Sequence, residues 1–246
     1  MMRYLMMVWL ILFTSTAFAA EDITATYVYK NGDKVTLVTR DAQHIRMDVS
    51  PENYMLLQKG KVYSVSKEDD GQWMVMDMSQ MKAMTSGGLA GLMTGGKSPM
   101  APQEKEYTVK YEKTGKKEQI AGYSGVVYIV KTMEGGKMVS QDEAVLCNHD
   151  DLKKVNDAWV AVAVGMGSIM GGKTAGSLEK ATKEANAAGY GGMLRYGDEM
   201  KLESLKKQSL DSAAYQIPPN AQMVNLGAMP GMPGMPQGMM NQTEEE

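Results

Sequence analysis

ITATYVYKNGDKVTLVT, residues 23–39, sets Ile23, Ala25, Tyr27 and Tyr29 at every second position with Thr24, Thr26 and Val28 between them. A period of two is that of a strand with one face buried and one face wet. Asn31-Gly32 follows at once, and Asn-Gly between alternating runs is the strongest short signal for a β-hairpin. Val35 to Thr39 then returns. Antiparallel hairpins rather than βαβ units are therefore expected from the outset.

The same grammar continues outward. Ile45, Met47 and Val49 alternate with His44, Arg46 and Asp48, and Tyr54 to Gln58 meets Lys61 to Ser66 across a Lys59-Gly60 turn. A polar loop, Glu68 to Gly71, leads to a strand over Trp73 to Met78. Residues 86–103 (SGGLAGLMTGGKSPMAPQ) break the pattern and read as a mobile, Gly/Pro-rich insertion. The meander resumes at Tyr107, Val109 and Tyr111, turns near Gly115, runs from Tyr123 to Val130, turns at Gly135-Gly136 and ends over Val139 to Cys147.

The period then becomes helical. Leu152, Val155, Trp159, Val162, Met166 and Ile169 recur at three- and four-residue spacings, with Asp150 or Asp151 placed to start the helix. Gly171-Gly172 interrupts, Thr174 to Ala188 predicts a second, weaker helix, and Gly189 to Gly192 breaks it. Met200 to Leu210 reads as the last strand, and Tyr215 to Pro219 closes the domain. Residues 227–246 repeat Met-Pro-Gly and finish in three glutamates, the composition of a disordered tail. The fold class expected is α+β, one antiparallel sheet with one or two packed helices over residues 20–226.

Residues 1–19 read as a secretory signal. Arg3 supplies the positive start, Leu5 to Phe13 the short apolar run, and Ala17-Phe18-Ala19 the small-x-small cleavage site. No apolar run is long enough to span a bilayer, so an exported, periplasmic protein that is not integral to the membrane is expected. Interspersed charge with a net of −3 gives no clustered basic face, which excludes nucleic acid as a partner. The lone Cys147 forms no internal disulfide and, within Ala144 to Cys147, reads as a small buried hydrophobe.

Gly167 to Thr174 satisfies the phosphate-loop pattern G-x-x-x-x-G-K-T. That loop belongs between a parallel strand and a helix, and everything upstream reads as antiparallel, so a break between two helices is the better reading. His44 and His149 show no zinc-protease spacing, and no serine sits in a G-x-S-x-G elbow. Asp150-Asp151 suits a helix start, with a metal site including His149 as the minor alternative. No catalytic residue and no cofactor are expected.

Methionine dominates the apolar filling: the chain has 25 Met against 2 Phe. On the strand 73–78, Met74, Met76 and Met78 share one face while Asp77 lies opposite with Trp73 and Val75. The uncharged face is expected to point inward, as core or as the wall of a ligand cavity. In the tail, Met229, Met232 and Met235 recur every third residue before Met239-Met240, an array of thioethers able to bind Cu(I).

Gly60 to Val65 followed by Trp73 to Met78, then Thr114 to Tyr123 followed by Tyr128 to Val130, and the Tyr215 to Pro219 terminus together resemble an uncharacterised family of bacterial envelope proteins. That family is similar to the lipoprotein-carrier (LolA-like) superfamily. The resemblance implies a curved, half-open barrel wrapped around helices and a hydrophobic cavity. It implies non-catalytic binding of a hydrophobic small molecule, a lipid, or an acylated or protein partner of the envelope; the candidate contacts, Met74, Met76 and Met78, come from the strand spacing alone. The alternative is a Met-rich periplasmic copper-binding protein that uses the tail.

Overall fold

The computed structural model describes residues 21–80, 107–170 and 191–225, together with Gly176, Glu179, Lys180 and Lys183. The expected signal segment, the 86–103 insertion and the Met-rich tail lie outside the described residues. So does most of the expected second helix; its four described residues are helical.

The chain builds two antiparallel meanders and joins them into one curved sheet of twelve strands among the described residues. The first comprises β1 (Asp22–Tyr29), β2 (Lys34–Asp41), β3 (His44–Ser50), β4 (Asn53–Gln58), β5 (Lys61–Lys67) and β6 (Trp73–Asp77), each paired with the next. The second comprises β7 (Tyr107–Ile120), β8 (Tyr123–Glu134) and β9 (Lys137–Cys147), then a 21-residue helix, α1 (Asp150–Met170), and β10 (Gly192–Tyr196) and β11 (Met200–Gln208). β11 lies antiparallel to β1, from Asp22 opposite Gln208 to Tyr29 opposite Met200, and this non-local pairing fuses the halves. A short turn, Ser212–Tyr215, leads to β12 (Gln222–Met223), which adds parallel to β6 and makes the sheet mixed.

Turn chemistry explains the registers. At Asn31-Gly32 the Tyr29 carbonyl accepts the Gly32 N–H at 2.9 Å and Gly32 takes φ +89°, a loop longer than a bare two-residue turn. The β7–β8 turn is not at Gly115, where the sequence places it. It sits at Ala121-Gly122, whose φ values of +51° and +86° are those of a two-residue type I′ hairpin. Gly115 instead occupies a bulge in β7, where the pairing jumps from Lys113 opposite Tyr128 to Lys117 opposite Val126. Such bulges bend the strand and add twist, which curves the sheet. Because an alanine held at positive φ is strained by about 1–2 kcal/mol, Ala121→Asn is expected to stabilise the protein. A rise in urea midpoint checks this, and an unchanged or lower midpoint contradicts it.

Both faces of the sheet carry core. Leu152, Val155, Ala158 and Val162 of α1 pack against Ile23, Ala25, Leu37, Ile45, Leu57 and Leu194 in the main cluster. Glycine allows the close approach at one crossing: a Cβ on Gly165 would stand 2.5 Å from Val62 Cγ2. The opposite face of β4–β6 is also covered. Tyr54, Leu56, Val65 and Val75 are buried there beneath Ile217 and Ala221 of the C-terminal segment. The charged face of β6 is therefore not a solvent face: Asp77 is buried and accepts bonds from Lys61 Nζ at 2.9 Å and Ser79 Oγ at 2.6 Å. A third cluster, Tyr128, Val130, Ala144 and Leu146, alternates with the main-core residues of β8 and β9.

Candidate functional site

The helix α1 has a buried underside and two flanks, and a cavity lies along each flank. The 3.6-residue period puts Leu152, Val155, Ala158 and Val162 underneath, Asn156, Trp159, Val160 and Ala163 on one flank, and Lys154, Asp157 and Ala161 on the other.

The first cavity, of about 300 Å3, is enclosed by the Trp159 flank and by strands from both halves of the sheet. Tyr29 and Met200 come from the β1–β11 seam, and Val130, Ala144, Leu146 and Met193 from the β8–β10 cluster. Among the described residues no charged side chain lines it. Its lining residues with polar side-chain atoms are Tyr29, Tyr111, Tyr196, Asn156 and Trp159. Burial pushes the Tyr29 phenol up; burial, with the hydrogen bond to Asp142 at 3.0 Å, pushes that of Tyr196 up to about 12. The walls thus stay neutral at physiological pH. Trp159 is fixed edge-on to Tyr27 with ring centres 6.3 Å apart, and Tyr27 is anchored through its hydroxyl to the Met193 carbonyl at 3.0 Å. The Trp159 Nε1 is buried without a hydrogen-bond partner.

The other cavity, also about 300 Å3, is charged: Arg40, Asp41, Lys154 and Asp157 line it with Thr39 and Ile45. Arg40 is already committed to the buried Asp22, with Nε to Oδ1 at 2.9 Å. Tyr215 Oη donates to the same carboxylate at 2.7 Å, and the Leu210 N–H at 2.6 Å. This clasp ties the first strand to the C-terminal segment. It is structural rather than chemical, since all its groups are mutually satisfied.

The sequence-derived candidates are placed as follows. Met74, Met76 and Met78 stand on the helix side of β6; Met78 packs against the main core, whereas Met74 and Met76 are half-buried. They line neither cavity described above. Met229, Met232, Met235, Met239 and Met240 lie outside the described residues. Of the phosphate-loop match, Gly167 to Met170 form the last turn of α1, and the apolar run before it is helix, not strand. The strand-loop-helix context that this motif needs is missing there.

His44 is paired locally, whereas the Nδ1 of His149 is buried without a hydrogen-bond partner. His44 Nδ1 lies 2.9 Å from Asp41 Oδ1, and its ring meets Tyr215 edge-on. The His149 carbonyl accepts the Lys153 N–H at 3.0 Å while its ring packs edge-on against Tyr123. Asp151 pairs with Lys207 at 3.2 Å. Among the described residues no three His, Cys, Asp or Glu side chains converge to hold a metal. Cys147 is buried, and burial pushes its thiol up, away from the reactive thiolate. No described helix is long and apolar enough to cross a membrane.

The sequence assigned Trp159 to the core stripe and left the cavity unread. The signal was a second stripe at helical spacing, Asn156, Trp159, Val160 and Ala163, in which small and large apolar residues alternate. β10 was missed because five residues behind a glycine pair give too little periodicity.

No protein-family model matches the chain, and no curated protein does. Among solved structures, one of PNGF-II is similar at 11% identity and a TM-score of 0.33, covering 83% of this chain and 31% of that one. The chain thus spans about a third of that protein's length, and a likeness this low carries no argument.

Proposed function

We propose that this protein is a non-catalytic binder of a hydrophobic ligand, of LolA-like build and exported to the periplasm, and that the ligand occupies the cavity beside Trp159. The observation that carries the reading is a cavity of about 300 Å3 between helix and sheet, whose described lining is aromatic, aliphatic and thioether groups with no charge. Ligand pockets start at about this volume and are mostly apolar with a few placed polar groups. An apolar cavity of about 150 Å3 holds benzene, so twice that volume accommodates a chain of roughly ten carbons. Burying a charge without a partner is prohibitive, so only the neutral part of an amphiphile enters.

Ala163 is half-buried and faces the cavity, so Ala163→Phe fills the space from the helix without breaching the core. An environment-sensitive apolar dye should bind the parent protein, be displaced by a ten-carbon alcohol, and bind Ala163→Phe at least tenfold more weakly. Unchanged dye affinity in the variant refutes this location for the ligand.

A further inference from the structure

We propose that Met55, Met74 and Met76 form a Cu(I) site on the helix side of the sheet, separate from the apolar cavity. Strand register supplies the geometry. Met47 lies opposite Met55, Met55 opposite Ser64, and Ser64 opposite Met76, which sets three thioethers in one row across β3–β6. Met74 stands two residues along β6 on the same face, opposite Ser66. Strands are about 4.8 Å apart, so Met55 and Met76 are separated by about twice that distance, with only the small Ser64 between them. A methionine side chain has three rotatable bonds, enough for thioethers on either side to meet above that serine.

Burial grades along the row. Met47, at the inner end of the row, is 6% exposed and belongs to the core. Met55, at the edge of that core, and Met74 and Met76 beyond it are half-buried, which leaves part of each side chain open to solvent. No ionisable side chain stands on this face of β3, β4, β5 or β6, whose other members are Ile, Val, Leu, Asn and Ser. Neutral thioethers without a carboxylate or imidazole offer nothing to hard cations such as Mg2+ or Ca2+ and little to Zn2+; they select a soft monovalent ion. The bonds formed are three dative S→Cu(I) bonds, with no change of oxidation state.

The test titrates Cu(I) anaerobically, against a chromophoric Cu(I) chelator, into the full chain carrying Leu at Met229, Met232, Met235, Met239 and Met240. One Cu(I) per chain is expected to remain bound. Met→Leu conserves volume, and the added pair Met55→Leu and Met76→Leu should keep the parent's circular dichroism while weakening Cu(I) at least tenfold. A loss of all binding with the tail substitutions alone overturns the proposal. So does equal affinity with and without Met55 and Met76. Ag(I) supplies an independent readout: the methyl resonances of Met55, Met74 and Met76 should shift together at one equivalent, and shifts confined to other methionines overturn the site.

Discussion

Replacing Asp22 by asparagine lowers the unfolding free energy by about 3–5 kcal/mol, the usual cost of breaking a buried ion pair from one side. Asp22 is fully buried at the start of β1 and accepts from four donors: Arg40 Nε and Nη2, the Leu210 N–H and Tyr215 Oη. The Arg40 side chain is itself only 20% exposed and stacks over the Tyr215 ring at 5.1 Å, so it is left poorly hydrated without its carboxylate. The clasp also holds the C-terminal segment, which continues through the Gln58 bond to the Tyr215 carbonyl and covers Tyr54, Leu56, Val65 and Val75. Tyr215→Phe removes one charge-assisted bond and is expected to cost about 1.5–3 kcal/mol. The double variant should lose less than the sum because both changes break one network. Urea denaturation measures each, and a loss below 1 kcal/mol for Asp22→Asn would contradict the clasp.

The same carboxylate sets an acid limit. Burial alone would raise the Asp22 carboxyl, but Arg40, the Leu210 N–H and the Tyr215 hydroxyl outweigh it and hold the group below its ordinary 3.8. The unfolded chain therefore takes up the proton first. The contribution is fully present above the ordinary carboxylate range and is lost as pH falls through the depressed value. Asp77 and Asp41, held low by their own hydrogen bonds against the same burial effect, act in the same direction. The gap between the parent and Asp22→Asn should be constant from pH 7 to 5 and narrow below about pH 4.

Leu152→Ala has the second large effect, about 2–5 kcal/mol. Leu152 is 0% exposed in the first turn of α1, where the helix leaves β9 and meets β10. The contact is close because position 192 has no side chain. A Cβ there would stand 2.9 Å from Leu152 Cβ and 3.0 Å from the Cys147 carbonyl oxygen. The neighbours are strands and cannot collapse into the space that an alanine leaves, so most of the cavity term persists. A calorimetric loss under 1 kcal/mol would mean that the helix is not seated where the sheet places it.

Local signals reached far along this chain and stopped at a physical boundary. Alternation and turn residues specify β1 to β6, because each pairs with its sequence neighbour and the turn fixes the register. The stripe Leu152, Val155, Val162 specifies α1 for the same reason. The seam between β1 and β11 joins residues nearly two hundred positions apart, and no local pattern encodes that partner. The site was hidden by a related limit. On β6 the uncharged face is the helix side, as its spacing predicts, but the opposite face is covered as well. β12 and Ile217 arrive from the C-terminus to cover the other side, and Lys61 and Ser79 satisfy Asp77 there. Trp159 reads as core from spacing alone; only the sheet's bend turns its flank into a cavity wall.

The central claim, an apolar ligand held beside Trp159, is tested most directly by that tryptophan's own fluorescence. Trp9, Trp73 and Trp159 are the three tryptophans of the chain. With Trp9 and Trp73 replaced by Phe, emission reports from the cavity wall alone. A ten-carbon alcohol brominated at its far end should quench this emission saturably, at one ligand per chain, and adding Ala163→Phe should abolish the saturable component. Quenching that rises linearly with ligand at both cavity genotypes, or saturable quenching of Trp73 in a chain that lacks Trp159, would contradict the account.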